Sequence, residues 1–161
     1  MKKTILFTFL LFISASVINE IHAQGQNDPQ RFGLGIMIGE PTGITGKYWM
    51  NTTNALAGGV AWSFRGPSHR RSSNIHLHLD YQAHNFNLFN VEQGTMGFYY
   101  GIGGRLRTGG DANIGVRIPL GLNYLFADNP LEIYFEIVPI LDLMPDTDLE
   151  GNGGIGIRYY F

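Results

Sequence analysis

The chain has 161 residues, of which 44% are hydrophobic and 22 are glycines, and its formal net charge is −2. This mild acidity gives no reason to expect a nucleic-acid partner. The sequence contains no cysteine, which excludes disulfides and thiolate metal sites, and its length suits a single domain.

The first 23 residues have the order of a secretory signal peptide. Lysines at positions 2 and 3 precede an apolar run over Ile5–Ile18, and Ala23 supplies a small residue at a cleavage point. The apolar run is shorter than the roughly 20 residues that a membrane-spanning helix needs. We therefore expect export with cleavage after Ala23, a short polar leader over residues 24–30 and a barrel domain over residues 31–161.

Eight segments separated by turn-rich stretches follow the leader. The separators are rich in glycine, proline, asparagine and aspartate, which favour reversal of the chain. Many short strands at even spacing are typical of a closed or sandwiched all-β domain. In chain order the predicted strands are Arg31–Gly39, Thr42–Met50, Ala55–Phe64, Asn74–Phe86, Thr95–Thr108, Ala112–Phe126, Leu131–Met144 and Gly153–Phe161.

Apolar and polar side chains alternate along these segments. In the fourth, Ile75, Leu77 and Leu79 share one face, whereas His76 and Asp80 share the other. Because successive side chains of a strand point to opposite faces, this pattern requires two chemically different environments. All charged residues within the eight spans lie on the polar face: Arg31, Lys47, Asp80, Arg105, Arg107, Arg117, Glu132, Glu136, Asp142 and Arg158.

Alternation alone leaves open a soluble, lipocalin-like barrel with its apolar face inside. Three features favour a membrane barrel with the apolar face outside. Glycine is frequent on the polar face, where it would make room for large side chains inside a narrow barrel. The chain ends on Phe161, which resembles the signal read by outer-membrane insertion machinery. Aromatic residues on the apolar face cluster near strand ends, as in the girdles of membrane barrels: Phe32, Tyr48, Trp62, Phe64, Phe98, Tyr100, Tyr124, Phe126, Tyr159 and Phe161.

On this interpretation the lumen holds a network of mutually neutralising polar side chains. Buried charges persist when they are paired and hydrogen-bonded, so a filled plug is favoured over a conducting pore. Hairpin register is expected to place Arg105 near His76 and Arg117 close to Gly103. The predicted members are Lys47, His76, His78, Asp80, His84, Arg105, Arg107, Arg117, Glu132, Glu136, Asp142 and Arg158.

Several runs are similar to those of a widespread family of predicted outer-membrane barrels: Gly39–Gly43, Gly46–Trp49, Gly101–Leu106, Arg117–Leu122, Pro145–Asp148 and Gly154–Phe161. With them, the chain resembles the small barrels of the OmpA/OmpX type. The resemblance implies an eight-stranded antiparallel up-and-down barrel whose termini face the periplasm. It implies outer-membrane lipid and the insertion machinery as partners, leaves a surface or host ligand open, and brings no catalytic residue and no cofactor.

The resemblance also implies which turns face outward, namely residues 40–42, 65–73, 108–111 and 145–152. These turns are shorter than the loops of OmpX-type adhesins. A non-enzymatic structural or surface-interaction role is the favoured function, and a narrow channel or a lipid-handling barrel is the main alternative.

Three further chemistries remain open on the polar residues. His76 and His78 could share a zinc ion if a neighbouring strand supplied a third ligand, although no metal is expected. The basic turn could contact anionic head groups or an acidic host surface through Arg65, Arg70 and Arg71. A lipid A-modifying enzyme would need a nucleophile held against a base, and the candidates are Ser63, Ser68, His69, Ser72, Ser73 and His76.

Overall fold

The structure, a computed structural model, describes residues 31–63, 74–108 and 112–161. No helix that could cross a membrane occurs in these ranges. The predicted signal peptide and leader, Phe64 and the whole basic turn over residues 65–73 lie outside them. In these ranges the chain forms nine strands: β1 (Phe32–Glu40), β2 (Thr42–Trp49), β3 (Asn54–Ser63), β4 (Asn74–Asn85), β5 (Thr95–Thr108), β6 (Asn113–Arg117), β7 (Leu120–Leu125), β8 (Leu131–Met144) and β9 (Asp148–Tyr160).

The sheet closes on itself as a ring of eight antiparallel barrel strands. Each strand pairs with its neighbours in the chain, and β1 pairs with β9, so that Ile36 lies opposite Ile157. Strands β6 and β7 both lie between β5 and β8 and together form the sixth barrel strand. The predicted all-β, eight-stranded antiparallel fold is therefore confirmed.

The sixth barrel strand is interrupted where the sequence predicted one continuous element over Ala112–Phe126. Proline has no backbone N–H and cannot donate to a sheet ladder. Gly101 still donates to the Pro119 carbonyl at 2.9 Å, and Ile118 donates to the Pro139 carbonyl at 3.0 Å. The reciprocal bonds from Pro119 and Pro139 cannot form, so the ladder breaks between β6 and β7.

The last strand is longer than predicted. Instead of beginning at Gly153, β9 begins at Asp148, and its register with β8 places Glu150 opposite Ile140. The predicted turn over residues 145–152 shrinks accordingly. The long β8 supplies backbone partners out to Asp142, which lets a stretch of turn-forming residues continue as a strand.

Apolar side chains cover the outside of the barrel and most charges lie inside. Leu79 and Ile102 are 62% and 61% exposed, whereas Asp80 and Arg117 are 1% and 2% exposed. The polar face identified in the sequence is thus the lumen face. A water-soluble carrier would show the opposite arrangement, with apolar side chains packed in the centre.

Candidate functional site: the ion network of the lumen

At the end of the barrel that carries the termini, the network is built around Glu132. Its Oε1 accepts hydrogen bonds from Lys47 Nζ at 2.8 Å and Asn123 Nδ2 at 2.9 Å. Its Oε2 accepts from Arg158 Nη1 at 3.0 Å and from the Tyr160 hydroxyl at 2.7 Å. Four donors from three strands therefore converge on one fully buried carboxylate.

Lys47 links this carboxylate to a group of rings. Its Nζ lies 2.8 Å from His84 Nε2 and 4.5 Å from the centroid of the Trp49 ring. Because an ammonium group only donates, Nε2 must accept and the proton of the neutral ring must lie on Nδ1. That nitrogen is 3.2 Å from the Thr53 carbonyl oxygen, which can accept its hydrogen.

The middle of the lumen is organised by Arg117. Its Nε lies 2.9 Å from Asp80 Oδ1, at ion-pair distance but without the alignment of a hydrogen bond. Its Nη2 donates to Glu136 Oε1 at 3.4 Å, and Glu136 Oε2 accepts from the Tyr99 hydroxyl at 2.9 Å. The register places Arg117 opposite Gly103, as predicted from the hairpin.

At the end of the lumen opposite the termini, two arginines of β5 pair with two carboxylates. The Arg105 guanidinium binds Asp142 in a fork and also donates to Glu150 Oε2 at 2.7 Å. Arg107 Nη1 donates to Glu150 Oε1 at 2.9 Å. Glu150 reaches this cluster because β9 extends beyond its predicted start.

The network is electrically balanced. The ion pairs of the described lumen join five cations to five carboxylates, since Glu150 adds the negative charge that the sequence interpretation left out. Buried charges are tolerated when each has a counter-charge and hydrogen bonds. The cations are Lys47, Arg105, Arg107, Arg117 and Arg158, and the carboxylates are Asp80, Glu132, Glu136, Asp142 and Glu150.

His76 and His78 lie in the lumen, but their neighbours oppose a metal site. Across β5 they face Arg107 and Arg105, so Arg105 lies close to His76 as the hairpin predicted, although Arg107 is the residue directly opposite. Across β3 they face Ala61 and Gly59, which offer no ligand. Among the residues that the structure describes, no group of three metal-binding side chains occurs.

Three tyrosines that the sequence interpretation left out also belong to the lumen. Each lies over a glycine of the neighbouring strand, where a side chain would collide with the ring. The Tyr134 ring in turn has its centroid 3.7 Å from the Arg158 guanidinium. Strand parity could have found all three, because they fall at even spacings from charged lumen residues. The pairs are Tyr99–Gly121, Tyr134–Gly156 and Tyr160–Gly33.

Most of the predicted girdle lies on the exposed face of the barrel. Phe98 and Tyr124 are half-buried there, Phe64 lies outside the described residues, and the others are exposed. Several contact each other, as Tyr159 and Phe161 do with ring centroids 5.0 Å apart. Trp62 lies at the opposite end from the termini, next to Thr42 of β2.

Most of the candidates for a nucleophile and its base fall outside the described residues. Ser68, His69, Ser72 and Ser73 lie outside the described residues, as do Arg65, Arg70 and Arg71 of the basic turn. His76 lies in the lumen beside Ala61 and Arg107, neither of which is a nucleophile.

Comparison with known proteins bears on the fold. No family model matches the chain, and no curated protein matches it in sequence. The chain is similar in structure to the N-terminal β-barrel domain of Pseudomonas aeruginosa OprF, with a TM-score of 0.55 and 16% identity over 81% of this chain and 96% of that one. Ail, the attachment invasion locus protein of Yersinia pestis, aligns at 14% identity and a TM-score of 0.37 over 81% of this chain and 94% of Ail. With the OprF likeness and the closed ring of eight strands, the chain has the fold of an OmpA/OmpX-type outer-membrane β-barrel.

Proposed function

We propose that this protein is an integral outer-membrane barrel with a non-enzymatic structural or surface-interaction role. The observation that carries the proposal is the apolar exterior, where Ile38, Leu79 and Ile102 are each more than 60% exposed. So continuous an apolar surface is not stable in water. In lipid it is favourable, and the ring formed by the described strands has no free sheet edge.

The buried, paired side chains that fill the lumen favour a plugged barrel over an open pore. Lys47, Arg117 and Glu132 are each at most 2% exposed and are held by partners from across the barrel. Eight strands enclose an interior that is just wide enough for side chains. Free passage of solutes would require several of these ion pairs to separate together.

Fractionation tests the membrane assignment. We expect the protein in the outer-membrane fraction, with a folded form that migrates faster on a gel before heating than after it. Recovery as a freely soluble periplasmic protein would overturn the proposal.

Planar-bilayer recording tests the plug. The wild-type protein is expected to be silent, and a steady conductance that changes on Arg117→Ala would favour the narrow-channel alternative instead. Lipid A from cells expressing the protein should keep its mass, because the proposal includes no enzymatic step.

Export and insertion complete the proposal. Cleavage after Ala23 predicts that the purified protein begins at Gln24, which N-terminal sequencing checks.

Phe161 donates its backbone N–H to the Phe32 carbonyl at 2.8 Å, where the first and last strands meet. Deleting Phe161 should reduce the yield of membrane-inserted protein if the insertion machinery reads this residue, whereas unchanged yield would contradict that role.

A further inference from the structure

A cavity of about 620 Å³ opens at the end of the barrel that carries the termini. We call it the vestibule, and its walls include Arg31, Trp49, Phe86, Phe126, Asn129 and Tyr160. Its volume falls within the range of roughly 300–1,000 Å³ that small-molecule sites occupy. The ion network lies deeper in the lumen and adjoins the vestibule at Trp49 and Tyr160.

The floor of the vestibule is held rigidly by that network. The Trp49 ring contacts both the Lys47 ammonium, 4.5 Å from its centroid, and the His84 ring, whose centroid is also 4.5 Å away. The Tyr160 hydroxyl is anchored on Glu132 at 2.7 Å. A preformed aromatic floor can bind an apolar group without first having to order its own side chains.

The lining chemistry selects the kind of ligand. Most of the described lining is aromatic or aliphatic, and Arg31 is its one charged residue. A guanidinium group favours a carboxylate or a phosphate, to which it can donate two parallel hydrogen bonds. The matching ligand therefore has an apolar body and an anionic head.

One wall of the vestibule is continuous with the exterior girdle. Phe126 lines the cavity, yet it is 38% exposed and packs edge-on against Tyr124 with ring centroids 4.9 Å apart. A ligand dissolved in the membrane boundary could reach the cavity along this wall. This continuity favours a lipid-like ligand over a water-soluble one.

We infer that the vestibule binds a single-chain anionic amphiphile. Its carboxylate or phosphate pairs with Arg31, and its chain lies against Trp49, Phe86 and Phe126. This inference goes beyond the proposed function; it rests on the membrane assignment made there but not on a surface role of the barrel.

Trp49 provides a reporter inside the site. The chain has two tryptophans, so Trp62→Phe leaves Trp49 alone, and Trp49→Phe leaves Trp62 on the exterior. The full-length variants, purified in zwitterionic micelles, are titrated with 9,10-dibromostearate, whose bromines quench nearby tryptophan. We expect saturable quenching of Trp49 at about one ligand per barrel, whereas Trp62 is quenched only in proportion to the brominated lipid in the micelle.

Variants of Arg31 test the head group. Arg31→Gln should weaken binding of the probe about tenfold, which corresponds to the loss of one charge-assisted hydrogen-bonded pair, whereas Arg31→Lys should keep most of it. Brominated lysophosphatidic acid, run in parallel, distinguishes a phosphate head from a carboxylate. Saturable binding of either acid supports the inference.

Three outcomes would overturn it. The first is quenching of Trp49 that does not saturate or that equals the quenching of Trp62. The second is equal affinity for the uncharged methyl ester of the probe. The third is binding that appears only when residues 25–30 are deleted, because the cavity would then belong to the chain's own N-terminal segment.

Discussion

The two halves of the lumen network differ in how completely their polar atoms are partnered. Around Glu132, four donors meet both oxygens of one carboxylate. Along β4, both ring nitrogens of His76, Nδ1 of His78 and Oε1 of Gln82 have no hydrogen-bond partner within the described protein. The comparison indicates that the surroundings of Glu132, at the terminus-bearing end of the lumen, are the more completely hydrogen-bonded part of the plug. On the lumen face of β4, His76, His78 and Gln82 contribute polar atoms without such bonds, whereas Asp80 and His84 on the same face contact Arg117 and Lys47.

The largest loss of stability is expected from Glu132→Ala. The change leaves Lys47 and Arg158 buried without their shared counter-charge, and breaking a buried pair in this way destabilises a protein by about 3–5 kcal/mol. The free energy of unfolding in urea, followed by the gel shift of the folded barrel, measures the loss. A loss below that of Glu150→Gln would contradict the ranking of the two regions.

A steric effect of intermediate size is expected at Gly103. An added Cβ would overlap the Asp80 carboxylate and the Leu79 carbonyl oxygen, and overpacking of this kind typically destabilises by about 1–3 kcal/mol. The next residue is a matched control, because a Cβ at Gly104 would meet its nearest described atom only at 3.9 Å. Urea unfolding of Gly103→Ala and Gly104→Ala should differ accordingly, and equal stabilities would disprove close packing against Asp80.

A smaller loss is expected from Glu150→Gln. This side chain pairs with Arg105 and Arg107 but is 30% exposed, at the end of the barrel opposite the termini. Solvent screening weakens such pairs, so the loss should be below about 1 kcal/mol. The same unfolding measurement at low and high salt checks the assignment, because a partly exposed pair loses its contribution as salt rises.

The smallest change in stability is expected from His76→Leu. The imidazole has no hydrogen-bond partner among the described residues, so an apolar side chain of similar size leaves no new group unsatisfied. Stability should change by less than about 1 kcal/mol or should rise. His84→Leu is the contrasting variant, since it removes the acceptor of a Lys47 hydrogen bond, and a larger loss for His76→Leu than for His84→Leu would invert the comparison.

Much of the candidate site could be predicted from strand parity. The alternation of His76, Leu77, His78 and Leu79 assigns each side chain to a face from sequence position alone. The same rule could have placed Tyr99 and Tyr160 in the lumen, but the prediction of lumen residues considered only charged side chains and histidines. The presence of these rings inside depends on glycines of the neighbouring strand, whose positions opposite the tyrosines follow from the register.

Two differences between the predicted and the observed strands have the same physical reason. Turn-forming residues predicted a loop over residues 145–152, yet backbone partners on β8 draw Glu150 into a strand. Conversely, alternation predicted an unbroken sixth strand, yet Pro119 and Pro139 together remove two ladder donors. In both places the pairing available on the adjacent strand decided the outcome, and local composition carries no information about it.

By itself the sequence determined the eight-strand count, the two faces and the outward direction of the apolar one, because side-chain alternation and glycine content are local properties. The tertiary structure alone decided which polar side chains of the lumen meet. Lys47 and Glu132 are 85 residues apart, and Arg158 and Thr45 are 113 apart. Such pairs form only when the ring closes and brings the walls of the lumen within reach of one another, so their identity depends on register and closure and cannot be read from any single strand.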